Sequence, residues 1–104
     1  MTHLFIQRNE ITKIPSRVSR LKNLRILDAS HNQIDSVASE LGQLGDLHTI
    51  YLQGNRLTGV PRALSQLKNL DVLWLEENEG LGDKARNLGK PFHEDRQGVL
   101  ELFK

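Results

Sequence analysis

Apolar residues recur along this chain at a fixed interval of 23 residues, and we number the positions of each unit from Met1, Leu24, Leu47 and Leu70. In the third unit, Leu47, Ile50 and Leu52 stand at positions 1, 4 and 6. Residues two apart in a strand point to the same face, so positions 4 and 6 face inward and positions 3, 5 and 7 face outward. The pattern therefore predicts one short strand in each unit.

The second half of each unit predicts a segment that returns the chain to the next strand. Its apolar residues are spaced three or four apart, which favours a helical or 3₁₀ segment. Pro15 and Pro61 stand just after position 14, where proline suits the first turn of such a segment. One unit cannot bury its own apolar face, but a stack of units buries a continuous core. We therefore expect parallel strands on a concave face and the return segments on a convex face.

Asparagine occupies position 9 of every unit, where the chain must turn out of the strand. A buried amide side chain can satisfy both the N–H and the C=O groups that such a turn leaves without sheet partners. We therefore interpret this column as a structural ladder, in preference to a ladder of ligand-binding residues. Its members are Asn9, Asn32, Asn55 and Asn78.

The repeated unit, as in "LHTIYLQGNRLTGVPRALSQLKN", resembles the leucine-rich repeat family with its L-x-x-L-x-L-x-x-N-x-L core. The ending "VPRALSQLKN" resembles the intracellular 23-residue subtype that ends in L-P-x-x-L-x-x-L. The resemblance covers residues 1 to about 91. It implies an α/β leucine-rich-repeat solenoid with a short curved parallel sheet. The expected repeats are residues 1–23, 24–46, 47–69 and 70–92.

The fourth unit departs from the pattern and indicates where the stack ends. A one-residue insertion at Glu79–Gly80 brings Leu81 into the phase of position 11. Residues 93–104 carry apolar and long side chains at helical spacing, which predicts an amphipathic helix. We expect this helix to cap the stack, so that residues 1–104 form a single domain. A helix that docks on a partner is the less favoured alternative for this segment.

The N-terminal end of the stack has no comparable cap, because Met1 already stands at position 1 of its unit. The first strand and the apolar residues Met1, Leu4 and Ile6 would then be exposed, which favours association. We therefore expect either that the chain is a piece of a longer protein or that it self-associates through this end.

Composition and charge narrow the classes of partner and the compartment. The net charge is +1, and neither half of the chain forms the basic platform that nucleic acid requires. No apolar run is long enough to span a bilayer, and no secretory signal begins the chain, so we expect no membrane partner. Cysteine and Asn-x-Ser/Thr sequons are absent, which favours a cytoplasmic location.

The candidate partner-binding residues come from strand positions 3, 5, 7 and 8, which we expect to form columns on the concave face. The chain has five aromatic residues, and Phe5, Tyr51 and Trp74 fall in one column at position 5. Exposed aromatic residues with polar neighbours are typical of binding hot spots, although these rings could also only cover backbone and stack on one another. A basic end and a separate acidic end would orient the partner. The basic end is formed by His3, Arg8 and His31, and the acidic end by Glu76 and Glu77. The expected polar companions are Arg8, Asp28, His31, Gln53, Glu76 and Glu77.

Catalytic and metal-binding interpretations are disfavoured. His3 and His31 would lie about 16 Å apart along the strand direction, too far to share a metal ion. Ser30 and His31 are adjacent in the chain, and adjacent strand residues point to opposite faces. The acidic residues around Glu77 more often form a solvated rim than a cation site. We therefore predict no catalytic residue, no metal site and no cofactor.

These observations predict a non-enzymatic module that binds a protein or peptide on its concave face. The main alternative is a regulatory or substrate-recruiting domain of a multidomain enzyme or signalling protein, because leucine-rich repeats of similar type occur beside such domains. A capped structural domain without a ligand is the third possibility. The fold alone does not distinguish among them.

Overall fold

A computed structural model of the protein describes residues 1–85 and 87–88. The chain alternates short β-strands with 3₁₀ helices, labelled β and η. In chain order the elements are β1 (His3–Phe5), β2 (Lys13–Ile14), η1 (Ser16–Arg20), β3 (Ile26–Asp28), β4 (Ser36–Val37), η2 (Ser39–Gln43), β5 (Thr49–Tyr51), η3 (Arg62–Gln66), β6 (Val72–Trp74), η4 (Glu79–Lys84) and β7 (Asn87–Leu88).

The main sheet confirms the predicted parallel arrangement. Strands β1, β3, β5 and β6 lie side by side in parallel, in that order. Their register is set by the repeat, since Leu4 pairs with Leu27, Leu27 with Ile50, and Ile50 with Leu73. Equivalent positions of successive units therefore form columns across the sheet.

The return segments are 3₁₀ helices, as the spacing of their apolar residues allowed. Helix η3 begins directly after Pro61, whose carbonyl oxygen accepts a hydrogen bond of 3.1 Å from the N–H of Leu64. Helices η1 and η2 begin in the same way after Pro15 and Ala38. Each of these helices turns apolar side chains into the core, so the return segments line the convex face.

The core lies between the sheet and the return segments and is built from the periodic apolar positions. Leu47, Ile50 and Leu52 are fully buried. In the fourth unit Leu81 is 7% exposed, which confirms that the insertion at Glu79–Gly80 restores the phase of the pattern. The core therefore continues through the described part of all four units.

Two features of the sheets were not predicted. Strands β2 and β4 form a second small parallel sheet just after the asparagine turns. Strand β7 pairs antiparallel with β6 and extends the main sheet by one strand. Between β6 and β7 in the chain, Gly82 has a φ of 57° within η4, a conformation that glycine adopts readily and that redirects the backbone.

The predicted capping helix over residues 93–104 and the end of the fourth unit lie outside the described residues. The division of residues 1–104 into four repeats and a cap stays a prediction. In the described part of the chain, no helix has both the length and the apolar character that crossing a membrane requires.

Candidate functional site

The asparagine column joins each repeat to the one before it. The Asn32 amide nitrogen donates hydrogen bonds of 3.0 Å to the carbonyl oxygens of Ile6 and Ala29, which belong to two successive units. Its side-chain oxygen accepts bonds of 2.9 and 3.2 Å from the backbone N–H groups of Asn9 and Ile11. One side chain thus satisfies backbone donors and acceptors at both turns.

Asn55 and Asn78 repeat this arrangement in the next two units. The Asn55 amide nitrogen donates to the carbonyl oxygens of Ala29 and Leu52, each at 3.0 Å, and its oxygen accepts from the N–H of Ile34. Asn55 is 6% exposed and Asn78 is fully buried. These amides are engaged by backbone groups and present almost no surface to a ligand.

Two aromatic side chains meet on the concave face. The rings of Tyr51 and Trp74 lie with their centroids 5.0 Å apart and their planes inclined by 74°. This edge-to-face geometry is favourable for aromatic pairs. It arises because Tyr51 and Trp74 pair directly in the register of β5 and β6. Trp74 remains 38% exposed, so the pair offers an accessible aromatic surface.

Phe5 lies in the same column but apart from this pair. It is 60% exposed and has the ring of His3 6.0 Å away. Asp28 stands between Phe5 and Tyr51 in the strand register. The column therefore consists of an aromatic pair and a separate phenylalanine with a carboxylate between them.

Two residues at outward positions are buried. Ser30 is 4% exposed, and its hydroxyl donates a hydrogen bond of 2.7 Å to Oδ1 of Asp28. Thr49 is 6% exposed, and its hydroxyl oxygen lies 2.7 Å from Nδ1 of His48. The Asp28 carboxylate also accepts a hydrogen bond of 3.1 Å from the backbone N–H of Ser30. Asp28 therefore stabilises the turn after β3.

Position 8 belongs to a turn and not to the strand, which corrects the sequence-based assignment. The residues there have positive φ angles, namely 59° at Arg8, 55° at His31, 71° at Gly54 and 63° at Glu77. Such angles are uncommon for residues other than glycine. The turns stack in register, since the N–H of Gly54 donates to the carbonyl oxygen of Glu76 at 2.9 Å.

Gly54 makes room for a contact between the second and fourth repeats. A Cβ atom at Gly54 would collide with Nδ1 of the His31 imidazole and lie 2.9 Å from its Cε1. The ring thus lies over Gly54, and its Nδ1 comes within 3.9 Å of a carboxylate oxygen of Glu77. The expectation of a separate basic end is therefore wrong for His31, which lies beside an acidic residue.

The glutamines at position 7 are partly buried. Within the described part of the chain, the side-chain oxygens of Gln7 and Gln53 are buried and accept no hydrogen bond. Gln53 lies two residues after Tyr51, on the turn that follows β5.

The histidines and acidic residues do not converge on a metal site. Among the residues that the structure describes, no group of three or more His, Asp or Glu side chains is arranged to hold a metal ion. The described residues therefore give no geometric basis for assigning a metal ligand.

The stacked strands, asparagine turns and 3₁₀ returns define the class of the protein as a repeat solenoid. Two family models match it: a model of two leucine-rich repeat copies over residues 1–42, and a single leucine-rich repeat model over residues 46–67. The chain belongs to the leucine-rich repeat proteins. No curated protein matches it significantly.

Solved structures support the same assignment. A leucine-rich repeat protein of Leptospira interrogans is 38% identical in sequence and superposes with a TM-score of 0.71. The match covers 75% of this chain and 20% of the Leptospira chain. The match therefore spans about a fifth of the length of that relative.

Proposed function

We propose that this protein is a non-enzymatic module that binds a protein or peptide on its concave face. Leucine-rich repeat domains are commonly protein-interaction modules, which is the general support for this function. The observation that carries it is the Tyr51–Trp74 pair, two contacting aromatic rings on the concave strands with Trp74 38% exposed. Large exposed aromatic side chains are typical anchors of interfaces.

The proposed contacts follow the columns of the sheet. Tyr51 and Trp74 are the central anchors, and Phe5 is a second anchor two strands away from Tyr51. The polar residues beside these anchors orient the partner and contribute less affinity, since exposed charges affect association more than they affect net binding energy. The proposed polar contacts are Arg8, Asp28, His31, Gln53, Glu76 and Glu77.

An affinity pull-down tests this proposal with two double variants. Tyr51→Ala/Trp74→Ala removes the aromatic pair, and Arg20→Ala/Arg62→Ala removes two exposed side chains of the convex face. Both variants must match the wild-type protein in thermal stability. We expect partners that wild type and the convex variant retain and the aromatic variant loses. Partners that the aromatic variant retains in full would contradict the proposal.

The proposal includes the absence of catalysis and a cytoplasmic location, the latter supported by a composition without cysteine. The alternative is a regulatory or substrate-recruiting domain of a larger protein. It is favoured by the observation that the chain aligns with only 20% of the Leptospira protein. A native reading frame that encodes a second domain would support this alternative, and one limited to these 104 residues would contradict it.

We also propose self-association through the N-terminal end of the stack. Met1 is 70% exposed, and an apolar cavity of about 440 Å³ opens beside Leu4, Ile6 and Ile11. Within the described residues, β1 is paired on one side only. Light scattering over a concentration series tests this proposal, with Leu4→Lys as a variant that places a charge in the cavity. A wild-type protein that stays monomeric at every concentration would contradict it.

A further inference from the structure

The sequence of the fourth repeat is acidic over its first fourteen residues. Residues 70–83 include five acidic residues and no lysine or arginine. Glu77 and Glu79 lie just after β6, the strand that ends with Trp74, and both are exposed. These two carboxylates therefore follow Trp74 in the chain, at the end where the strand terminates.

The carboxylates of Glu77 and Glu79 line a groove along the turns that follow β5 and β6. It has a volume of about 520 Å³, and the residues that line it include His31, Gly54, Arg56, Glu77 and Glu79. Two carboxylates thus share this groove with one guanidinium group. The side chain of Glu77 is 69% exposed, and its contact with His31 is 3.9 Å long, so solvent and a ligand can both reach it.

The spacing between the aromatic pair and the carboxylates fits an extended peptide. Trp74 and Glu77 are three residues apart, which corresponds to at most about 10 Å along a strand. An extended peptide covers that distance in about three residues. A partner with an apolar side chain on the Tyr51–Trp74 pair could therefore place a side chain two or three residues away beside Glu77. A cationic group there is attracted by the carboxylates.

We propose that the concave face recognises an extended cationic peptide segment, in which an apolar residue lies two or three positions from a lysine or arginine. The apolar residue packs on Tyr51 and Trp74, and the cationic residue pairs with Glu77 and Glu79. Acidic segments are repelled by the same carboxylates, so charge selects among peptides that fit the aromatic pair. This inference rests on the proposed function, because it specifies the partner of the same surface.

Selection from a random peptide library displayed on phage tests the inference with the full chain as the target. Three double variants are compared with the wild-type protein. Tyr51→Ala/Trp74→Ala removes the aromatic pair, and Glu77→Gln/Glu79→Gln removes the two carboxylates but keeps their shape. Glu10→Gln/Asp35→Asn makes the same change of charge at exposed positions of the first two repeats. Circular dichroism establishes that each variant is folded.

We expect the selected peptides to contain the apolar and cationic pair at the stated spacing. Their affinity should fall roughly fivefold in the Glu77→Gln/Glu79→Gln variant and remain unchanged in the control variant, because exposed ion pairs contribute modestly. Binding should also weaken as the salt concentration rises.

The outcomes separate the inference from the proposed function. Peptides that require Tyr51 and Trp74 but are neutral or acidic, and that bind the Glu77→Gln/Glu79→Gln variant as tightly as wild type, would overturn the inference alone. Peptides that bind the Tyr51→Ala/Trp74→Ala variant as tightly as wild type would contradict both.

Discussion

At the scale of single residues, the position-9 asparagines connect successive turns by hydrogen bonds. The Asn78 amide nitrogen donates to the carbonyl oxygen of Leu52 at 2.9 Å, and its oxygen accepts from the N–H of Leu57 at 3.0 Å. Both of these partners belong to the preceding repeat. A polar residue recurs in a buried place because the turn leaves backbone groups that water cannot reach.

Replacement of Asn55 by alanine should destabilise the fold more than replacement of Asn9. Asn55 is 6% exposed, and its side-chain oxygen accepts a hydrogen bond from the N–H of Ile34. The Asn9 side chain is exposed, and its hydrogen bonds to described residues are donated by its amide nitrogen. We expect Asn55→Ala to cost about 1–3 kcal/mol of unfolding free energy, and Asn9→Ala less. Urea unfolding measures both, and equal losses would contradict the assigned role of the buried amides.

Replacement of Gly54 by alanine should destabilise the turn after β5 for two separable reasons. The φ of 71° favours glycine, and the new methyl group would meet the His31 ring. We expect Gly54→Ala to cost about 1–2 kcal/mol in wild type. The cost should be smaller in a His31→Ala background, because the collision is then removed. A double-mutant cycle of unfolding free energies measures the coupling, and additive costs would show that the ring does not lie over Gly54.

At the scale of elements, the 3₁₀ helices η2 and η3 pack closely against each other on the convex face. A Cβ atom at Gly42 in η2 would meet the side-chain oxygen of Gln66 and would lie 2.9 Å from the backbone oxygen of Ala63, both in η3. The glutamine side chain can move away, but the backbone oxygen cannot move without displacing the helix. Gly42 therefore permits the close packing of two neighbouring return segments.

Gly42→Ala should therefore weaken the packing of η2 on η3, and Gly45 provides a matched control. A Cβ atom at Gly45 would have nothing within 4 Å. We expect Gly42→Ala to cost about 1–3 kcal/mol, as overpacking does. Gly45→Ala should be neutral or stabilise the protein by up to about 1 kcal/mol, because alanine reduces the freedom of the unfolded chain. Thermal unfolding compares the two, and similar melting temperatures would contradict this account of the convex face.

At the scale of the whole molecule, the 23-residue period predicted the main features of the architecture. It predicted the parallel sheet, helical or 3₁₀ returns and the inward positions, because each unit must repeat the same contacts with its neighbours. It also predicted that Tyr51 and Trp74 would be neighbours, and their ring centroids are 5.0 Å apart. Periodicity carries this information because residues one period apart pair with each other in neighbouring strands of the stack.

Features that depend on departures from the repeat could not be predicted in this way. The contact of His31 with Glu77 needs a glycine in the intervening repeat and a left-handed turn at position 8. Burial of Ser30 depends on its hydrogen bond to Asp28. Strand β7 follows the irregular fourth unit, where Gly82 redirects the chain. Each feature depends on particular residues in particular repeats, and an averaged pattern does not contain it.

The fluorescence of Trp74, the single tryptophan of the chain, tests most directly whether the concave face binds the partner. The measurement titrates the protein with a ligand obtained by pull-down or peptide selection and records the emission maximum and quenching by acrylamide. We predict a shift to shorter wavelength and protection from acrylamide at saturation, because the bound partner covers an indole that is 38% exposed in the free protein. Unchanged emission and quenching at a saturation established by calorimetry would contradict the account.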